Sequence, residues 1–253
     1  MSNIKKCVEA LPEIYQNIYG HSEFSEGKSR DCKERLVYVE KIIKGYQEFS
    51  GKRELRVLDL GCAQGFYSFS LASIGCIVDG IDFNEQNIAL CKELQQENGL
   101  PCTFRQDVIT KEMVDQIDEG AYDVILIFSV IHHIAHEHGF EYARELMTKL
   151  AEKSKYVLTE LAVKEEPLYW NQNLPPKYSN WFDKVAFFDE QCFFGTHLSD
   201  TRRPFIFYSN SLCYAEGIFY PVTEYKQAAY KEKPVDPERR YYLCNDNTVL
   251  IKV

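Results

Sequence analysis

The sequence has no excess of positive charge. Lysine and arginine number 29 against 38 aspartates and glutamates, which gives a formal net charge of -9 at pH 7. Proteins that bind nucleic acid through its phosphates usually present a basic surface. The excess of acidic residues therefore disfavours a DNA or RNA partner, although it is compatible with a local basic pocket.

Paired cysteines are also missing. The nine cysteines are odd in number, and no two of them show the CxxC spacing of a redox or zinc motif. Such a set predicts free thiols in a reducing compartment rather than a disulfide framework. We therefore expect no bound metal and a cytoplasmic location.

Long apolar runs are absent as well. No stretch approaches the roughly 18 residues that a membrane span needs, and the first 21 residues lack the apolar core of a signal peptide. We expect no membrane span, and we expect any contact with the inner membrane to be peripheral, through a partner.

The middle of the chain alternates short apolar runs with helical patterns, which is typical of a doubly wound, mostly parallel sheet. Upstream, residues 3–50 are predicted to be mainly helical, with a second helix over 30–48. Strands are predicted at 55–60, 76–83, 102–108, 122–130 and 155–162, and helices at 64–73, 85–97, 111–119 and 140–153.

This rhythm stops after Val163. Residues 164–208 are rich in aromatics, prolines and charges and show no clear period, which favours a functional cap without regular structure. A β-rich tail follows, with a strand over 218–225 and a hairpin over 239–253 that turns at NDN. The predicted organisation is a helical lid at 1–50, a core at 51–238 with a cap insertion at 163–208, and a terminal hairpin at 239–253.

The stretch VLDLGCAQG places an acid and small residues at the tip of the first predicted strand. Gly61, Ala63 and Gly65 allow a tight turn and a close approach to a ligand. The spacing is not the GxGxxG of dinucleotide sites, and Asp59 would repel a pyrophosphate. The acid suits a cationic ligand instead, the ammonium and sulfonium of S-adenosylmethionine.

Two further acids follow at the next strand ends. Asp82 lies 23 residues beyond Asp59, where an acid binds the ribose hydroxyls of an adenosine. Asp107 ends the third strand and is placed to accept from an adenine amino group, with Val108 against the ring. Three acids in this order predict a site for S-adenosylmethionine, whose product is S-adenosylhomocysteine.

The fourth strand ends in FSVIHHIAHEHG. His132 or His133 is a candidate general base or anion-binding imidazolium. His132 and His136 have metal-ligand spacing, but no further ligand stands at an obvious distance, and we expect His136 and His138 to be surface residues.

In class I methyltransferases this strand end is where donor and acceptor meet. The Asn/Asp-Pro-Pro-Tyr/Phe tetrapeptide of amino-methylating enzymes is missing there, which favours O-methylation.

The sequence resembles the methyltransferase domains of the WbdD-type methyltransferase–kinases, which cap polymannose O-antigen chains of bacterial lipopolysaccharide. The resemblance spans nearly the whole chain. It is carried by ALPEIYQNIYGH (10–21), RDCKERL (30–36), VLDLGCAQGFYSFSLAS (57–73), GIDF (80–83), SVIHHIAHEHG (129–139), ELAVKEEPLYW (160–170), THLS (196–199), RRPFIFYSN (202–210) and RRYY (239–242).

The resemblance implies a class I methyltransferase fold and a role for the N-terminal helices in closing over the cofactor. Tyr15 and Arg35 would close from those helices, with Arg35 on the cofactor carboxylate. The complete cofactor site that we predict is Tyr15, Gln16, Arg35, Asp59, Gly61, Ala63, Gln64, Asp82, Phe83, Asp107, Val108 and Phe128.

The acceptor implied by the resemblance is the terminal sugar, through its phosphate or a hydroxyl. A phosphate needs positive charge, whereas a hydroxyl needs a base. Arg202 and Arg203 suit phosphate, which we favour, and the predicted catalytic residues are His132, His133 and Arg203. Of the nearby acids, only Glu160 is well placed to contact substrate.

Two other functions remain open at this stage. The SVIHHI motif is shared with small-molecule and quinone-type O-methyltransferases, and the fold can also serve as a non-catalytic assembly module, for example beside a mannosyltransferase. The final TVLIKV resembles the kinase strand that carries a nucleotide-binding lysine, here Lys252. Our hypothesis is that the chain is part of a longer methyltransferase–kinase; the alternative is a stand-alone methyltransferase whose last strand merely ends in Lys-Val.

Overall fold

The computed structural model describes residues 3–215, 217–224, 241–244 and 250–252, and side chains only within 3–215 and 217–222. In these residues no helix has the length and apolar character needed to cross a membrane.

A seven-stranded sheet forms the centre of the molecule. The first five strands are parallel, and β7 runs antiparallel between β5 and β6, in the order β3-β2-β1-β4-β5-β7-β6. The strands are β1 (Arg56–Leu60), β2 (Ile77–Asp82), β3 (Cys102–Gln106), β4 (Tyr122–Phe128), β5 (Ser154–Glu160), β6 (Phe187–Gly195) and β7 (Arg202–Ser209). The predicted doubly wound, mostly parallel sheet is confirmed.

Helices cover both faces of this sheet and enclose two hydrophobic clusters. They are α1 (Asn3–Glu9), α2 (Lys33–Ser50), α3 (Phe66–Ser73), α4 (Glu85–Asn98), α5 (Lys111–Asp115), α6 (Ile131–His138) and α7 (Phe140–Lys153). Alternate residues of the apolar run in β4 belong to opposite clusters, Val124 and Leu126 to one and Ile125 and Ile127 to the other. A strand buried on both faces explains the unbroken apolar run.

The expectation that residues 164–208 lack regular structure is wrong for the second half of this segment. Residues 187–195 and 202–209 form β6 and β7, which pair along their full length. Phe205 and Phe207 pack in one hydrophobic cluster, and Ile206 and Tyr208 pack in the other. The sequence of β7 shows no alternation of apolar and polar residues because both faces of this strand are apolar.

The predicted N-terminal helical region is also wrong in part. α1 ends at Glu9, before Pro12, and most of residues 10–32 is irregular apart from a short 3₁₀ turn at Ser22–Phe24. The backbone N–H groups of Tyr15 and Gln16 donate to the Gln64 side chain instead of to a helical carbonyl. A tertiary contact thus replaces the helix that the apolar spacing suggested.

A second, four-stranded antiparallel sheet follows the first, in the order β11-β10-β9-β8. Its strands are β8 (Leu212–Ala215), β9 (Ile218–Glu224), β10 (Tyr241–Cys244) and β11 (Leu250–Lys252). The antiparallel pairing of β10 with β11 confirms the predicted hairpin. The NDN turn and the side chain of Lys252 lie outside the described residues.

Candidate cofactor and acceptor site

The loop after β1 is folded back onto the end of β2. The N–H groups of Gly61 and Cys62 both donate to the Ile81 carbonyl, at 2.8 and 3.0 Å. Gly61 has φ +77°, and a Cβ there would stand 2.4 Å from Cγ2 of Val130. Only glycine fits a left-handed backbone this close to a neighbouring side chain. The loop therefore lies at the carboxyl ends of the strands, as its sequence predicted.

Asp82 fixes the same loop. Its buried carboxylate accepts from Ala63 N and Asn84 N, both at 2.9 Å, and from Asn87 Nδ2 at 3.1 Å. Each carboxylate oxygen can accept two hydrogen bonds. Oδ2 accepts one, from Ala63 N, and can therefore accept one more. Asp82 is thus held rigidly with capacity for a ligand hydroxyl.

The rest of the predicted adenosine site lies beside Asp82. Asp107 N donates to the Asp82 carbonyl at 3.1 Å, which joins the ends of β2 and β3. The next residues along each strand, Phe83 and Val108, are 72% and 60% exposed. Two exposed apolar side chains at adjacent strand ends suit the faces of a planar base.

The N-terminal segment closes over the loop through two glutamines. Gln64 Oε1 accepts from Tyr15 N at 3.2 Å and from Gln16 N at 2.9 Å. Gln16 Oε1 in turn accepts from Phe66 N, in the first turn of α3, at 3.2 Å. Because Gly65 at the start of α3 has no side chain to cap the helix, Gln16 supplies the missing acceptor.

Asp59 lies in a cleft below this segment, together with Gly61 and Phe128. Ser68 Oγ donates to its carboxylate at 2.6 Å. Burial raises the pKa of the Asp59 carboxyl to about 7, and the charge of Asp82 adds to the increase, while the bond from Ser68 opposes it. A cation placed here would be paired and would restore the ionised form.

Buried arginines and a glutamate line the other side of the cleft. Glu160, at the end of β5, accepts from Arg30 Nη2 and, at 2.5 Å, from Arg35 Nε. Burial alone would lower the pKa of Arg30, but Glu160 and Tyr15 raise it above its ordinary value. Two guanidiniums against one carboxylate leave one uncompensated positive charge in this cluster.

These groups fit the amino-acid end of S-adenosylmethionine. The excess positive charge of Arg30 and Arg35 suits its carboxylate, and Asp59 suits its ammonium group. Arg30 Nε is buried and has no hydrogen-bond partner among the described residues, a state that costs free energy unless a ligand or water supplies an acceptor. Sequence reasoning missed Arg30, although it begins the RDCKERL stretch.

Ser129, at the end of β4, connects this cluster to the acceptor side. It has φ +58°, which is rare for a residue with a side chain. Its hydroxyl donates to Glu160 Oε1 at 3.2 Å and accepts from Arg30 Nη1 and, at 3.4 Å, from Arg203 Nη1. Two guanidiniums from distant parts of the chain thus converge at one strand end, which no local sequence pattern signals.

Arg203 is not a surface residue. It is 1% exposed and forms a two-pronged ion pair with Glu166, from Nε at 2.8 Å and from Nη2 at 2.7 Å. Glu166 is itself anchored, because Oε1 also accepts from Val163 N. The remaining edge of Arg203, Nη1, points to Ser129. Arg202, its neighbour, is exposed.

The paired histidines, Trp170 and Arg203 adjoin one another, and we call this group the acceptor wall. The His132 ring is buried, 4.2 Å from the His133 ring and 4.4 Å from the Trp170 ring. Burial, followed by the charges of His133, Arg203 and Arg30, lowers the pKa of His132 well below its ordinary value.

His133 is hydrogen-bonded through Nδ1 to the Tyr169 hydroxyl at 2.9 Å. Although His133 is itself exposed, the protein packed around its ring and the charge of Arg203 lower its pKa as well. Both imidazoles of the pair are therefore neutral at pH 7. The other two histidines of the stretch, His136 and His138, lie at the surface. Within the described residues, no group of three or more His, Cys, Asp or Glu side chains is arranged to hold a metal.

The strand order, with its antiparallel seventh strand and an acid at the end of β2, defines a class I S-adenosylmethionine-dependent methyltransferase. Residues 51–227 match the model of a family described as a methyltransferase domain, and the chain belongs to this family. The Haemophilus influenzae protein TehB shares the fold, with a TM-score of 0.56 at 20% identity.

The chain is similar over almost its whole length to the O-antigen chain terminator bifunctional methyltransferase/kinase WbdD of Escherichia coli. The two are 38% identical over 247 residues, which are 96% of this chain and 35% of the relative. A crystal structure of WbdD superposes with a TM-score of 0.89 over 96% of this chain and 54% of that one. The chain thus spans about a third of the length of the curated relative.

A shorter similarity reaches another enzyme group. The ubiquinone biosynthesis O-methyltransferase of Maricaulis maris is 34% identical over 109 residues, 42% of either chain.

We predict that cofactor affinity depends on the ionisation of Asp59. Below the pKa of about 7 in the free protein, a cationic ligand must displace the carboxyl proton. The affinity for S-adenosylhomocysteine should therefore rise up to about tenfold per pH unit between pH 5.5 and 7 and then level off. Calorimetry in buffers of different ionisation enthalpy should show proton release at pH 6.

The control is Asp59→Asn, which cannot ionise. It should bind more weakly, and its affinity should not change over this pH range. A wild-type affinity that is flat from pH 5.5 to 7.5 would show that Asp59 does not face the ammonium group.

We also predict that cofactor binding needs the hydroxyl of Ser129, although the positive φ of this residue costs free energy. Ser129→Gly and Ser129→Ala both lose the contacts to Arg30, Glu160 and Arg203, but only alanine retains the cost of a positive φ. The glycine variant should therefore be more stable than the alanine variant by about 1 kcal/mol in chemical denaturation. Both should lose cofactor affinity to a similar degree. An alanine variant as stable as the glycine variant would contradict the left-handed assignment.

Proposed function

We propose that this chain transfers a methyl group from S-adenosylmethionine to a phosphate oxygen on the terminal sugar of a bacterial O-antigen polysaccharide, and that this methylation ends chain growth. Support comes from the similarity to WbdD, whose name describes an O-antigen chain terminator with methyltransferase and kinase activities. The single observation that carries the choice of phosphate is the convergence of Arg30 and Arg203 on Ser129.

Distinct residues would hold each part of the cofactor. Asp82 would accept from the ribose, and the exposed side chains of Phe83 and Val108 would flank the adenine with Asp107 at its edge. Asp59 would bind the ammonium, and Arg30 and Arg35 the carboxylate. When bound, the cofactor supplies an electrophilic methyl group on a sulfonium. The protein's contribution is then to hold the acceptor oxygen in line with the methyl–sulfur bond.

The charge of the acceptor wall favours an anion. Burial, followed by the charges of His133, Arg203 and Arg30, lowers the pKa of His132. Two guanidiniums thus lie close to the place where the acceptor would bind. A phosphate oxygen is already anionic and needs no base. A sugar hydroxyl would need a base, and an imidazole whose pKa lies well below its ordinary value is a weak one. We therefore assign the histidines to shaping and polar contact rather than to proton removal.

The location and partners are part of the same proposal. O-antigen chains are extended by glycosyltransferases, and a terminator acts where the chain end is available. We propose that the protein works in the cytoplasm, reaches the inner membrane only peripherally, and does so beside a mannosyltransferase. The phosphate would come from a kinase activity of the kind named in the WbdD relatives.

The direct experiment measures labelled methyl transfer to three acceptors: a mannose oligosaccharide with a terminal phosphate, the same oligosaccharide without it, and a catechol. We expect label on the phosphorylated sugar alone. Label on the unphosphorylated sugar would move the assignment to a hydroxyl. Label on catechol alone would favour the quinone-type function, to which the ubiquinone-pathway relative is similar.

Arg203 and Arg202 offer a matched pair for the same assay. Arg203→Lys keeps the charge but loses the two-pronged contact to Glu166, so the KM for the phosphorylated sugar should rise roughly 10- to 100-fold. Arg202→Lys, one residue away and exposed, should leave KM unchanged. Thermal unfolding of both variants checks that they fold. Equal effects of the two substitutions would contradict the role of Arg203.

A further inference from the structure

The aromatic segment that looked like a cap in the sequence is mostly core. Among its rings the structure leaves one largely exposed, Tyr169, at 59%. The buried rings of this segment are Trp170, Trp181, Phe182, Phe187, Phe194, Phe205, Phe207 and Tyr208, and those of Tyr178, Phe188 and Phe193 are half-buried. An exposed aromatic ring offers apolar surface to a ligand, which the buried rings do not.

Tyr169 is also held in place. Its hydroxyl is hydrogen-bonded to His133 Nδ1 at 2.9 Å. Its ring meets those of His136 and Trp170 edge-on, each with centroids 4.7 Å apart and interplanar angles of 75° and 70°. A ring that is fixed by three neighbours loses little conformational entropy when a ligand binds to it.

A continuous series of contacts links this ring to the acceptor wall. The Arg203 guanidinium lies 5.7 Å from the centre of the Trp170 ring, and Trp170 adjoins Tyr169. His132 and His133 both pack against the same tryptophan. A molecule with an anionic end at Arg203 that extends outward would therefore pass Tyr169 at the surface.

We infer that Tyr169 forms a subsite for the pyranose ring next to the terminal sugar of the acceptor. This inference rests on the proposed function and adds to it a means of recognising a polymer rather than a single sugar. Pyranose rings present an apolar C–H face, which packs on an aromatic face, while their hydroxyls remain in water. The exposed His136, whose ring centre lies 4.7 Å from that of Tyr169, is available to such a hydroxyl.

The test compares phosphorylated mannose monosaccharide and disaccharide as ligands, by calorimetry with saturating S-adenosylhomocysteine. In the wild type the disaccharide should bind about threefold to tenfold more tightly, the usual gain from one aromatic stacking contact. Tyr169→Ala should abolish this gain, and Tyr169→Phe should retain it because the ring remains. Phe49→Ala removes a ring that is 45% exposed on α2 and should keep the gain.

The outcomes separate this inference from the proposed function. If the wild type binds neither phosphorylated sugar, the proposed function fails. If the wild type binds both equally, or if Tyr169→Ala keeps the gain for the disaccharide, only the subsite fails. Thermal unfolding of each variant confirms that the comparison is between folded proteins.

Discussion

The buried contact of Glu160 with Arg30 and Arg35 is the interaction on which the site depends. It joins the end of β5 to the N-terminal segment and to α2, so that a part of the chain outside the sheet is fixed against the strand ends. Removing Glu160 would leave two buried guanidiniums without a counter-charge, which is strongly destabilising. The pairing also leaves a surplus of one positive charge, and that surplus makes this end of the cleft suitable for an anion.

In the adenosine half of the cleft, backbone N–H groups orient an acidic side chain. Asp82 binds the N–H groups of Ala63 and Asn84, and thereby fixes both the loop after β1 and the start of α4. The side chain of Gln64 in turn holds the N-terminal segment against the same loop.

Patterns that repeat locally were predictable from the sequence. The strand–helix alternation predicted the parallel sheet, and strand ends carrying Asp59, Asp82 and Asp107 predicted the edge at which a site would form. β7 was missed because its short apolar run, buried on both faces, has no alternation and follows two arginines and a proline. β6 was missed because it is only partly buried and carries Asp189 and Glu190 between its apolar ends. The irregular N-terminal segment was missed because its backbone bonds are made to Gln64, far away in the sequence.

Long-range pairings account for what sequence reasoning missed in the site. Arg30 reaches Ser129 across 99 residues and Glu160 across 130. Glu166 holds Arg203 as a buried, oriented guanidinium whose remaining edge, Nη1, faces Ser129. Residue type alone identified Arg203 as an anion-binding candidate, but only the fold shows which of its atoms face the site.

The central claim is that the carboxyl ends of β1 to β5 hold an adenosyl cofactor between a buried arginine cluster and exposed apolar side chains. A crystal structure with S-adenosylhomocysteine tests it most directly. Our account predicts the ligand carboxylate against Arg30 and Arg35, the ribose on Asp82, and the adenine between Phe83 and Val108. Ligand density elsewhere in the molecule, or an empty cleft under saturating conditions, would contradict the account.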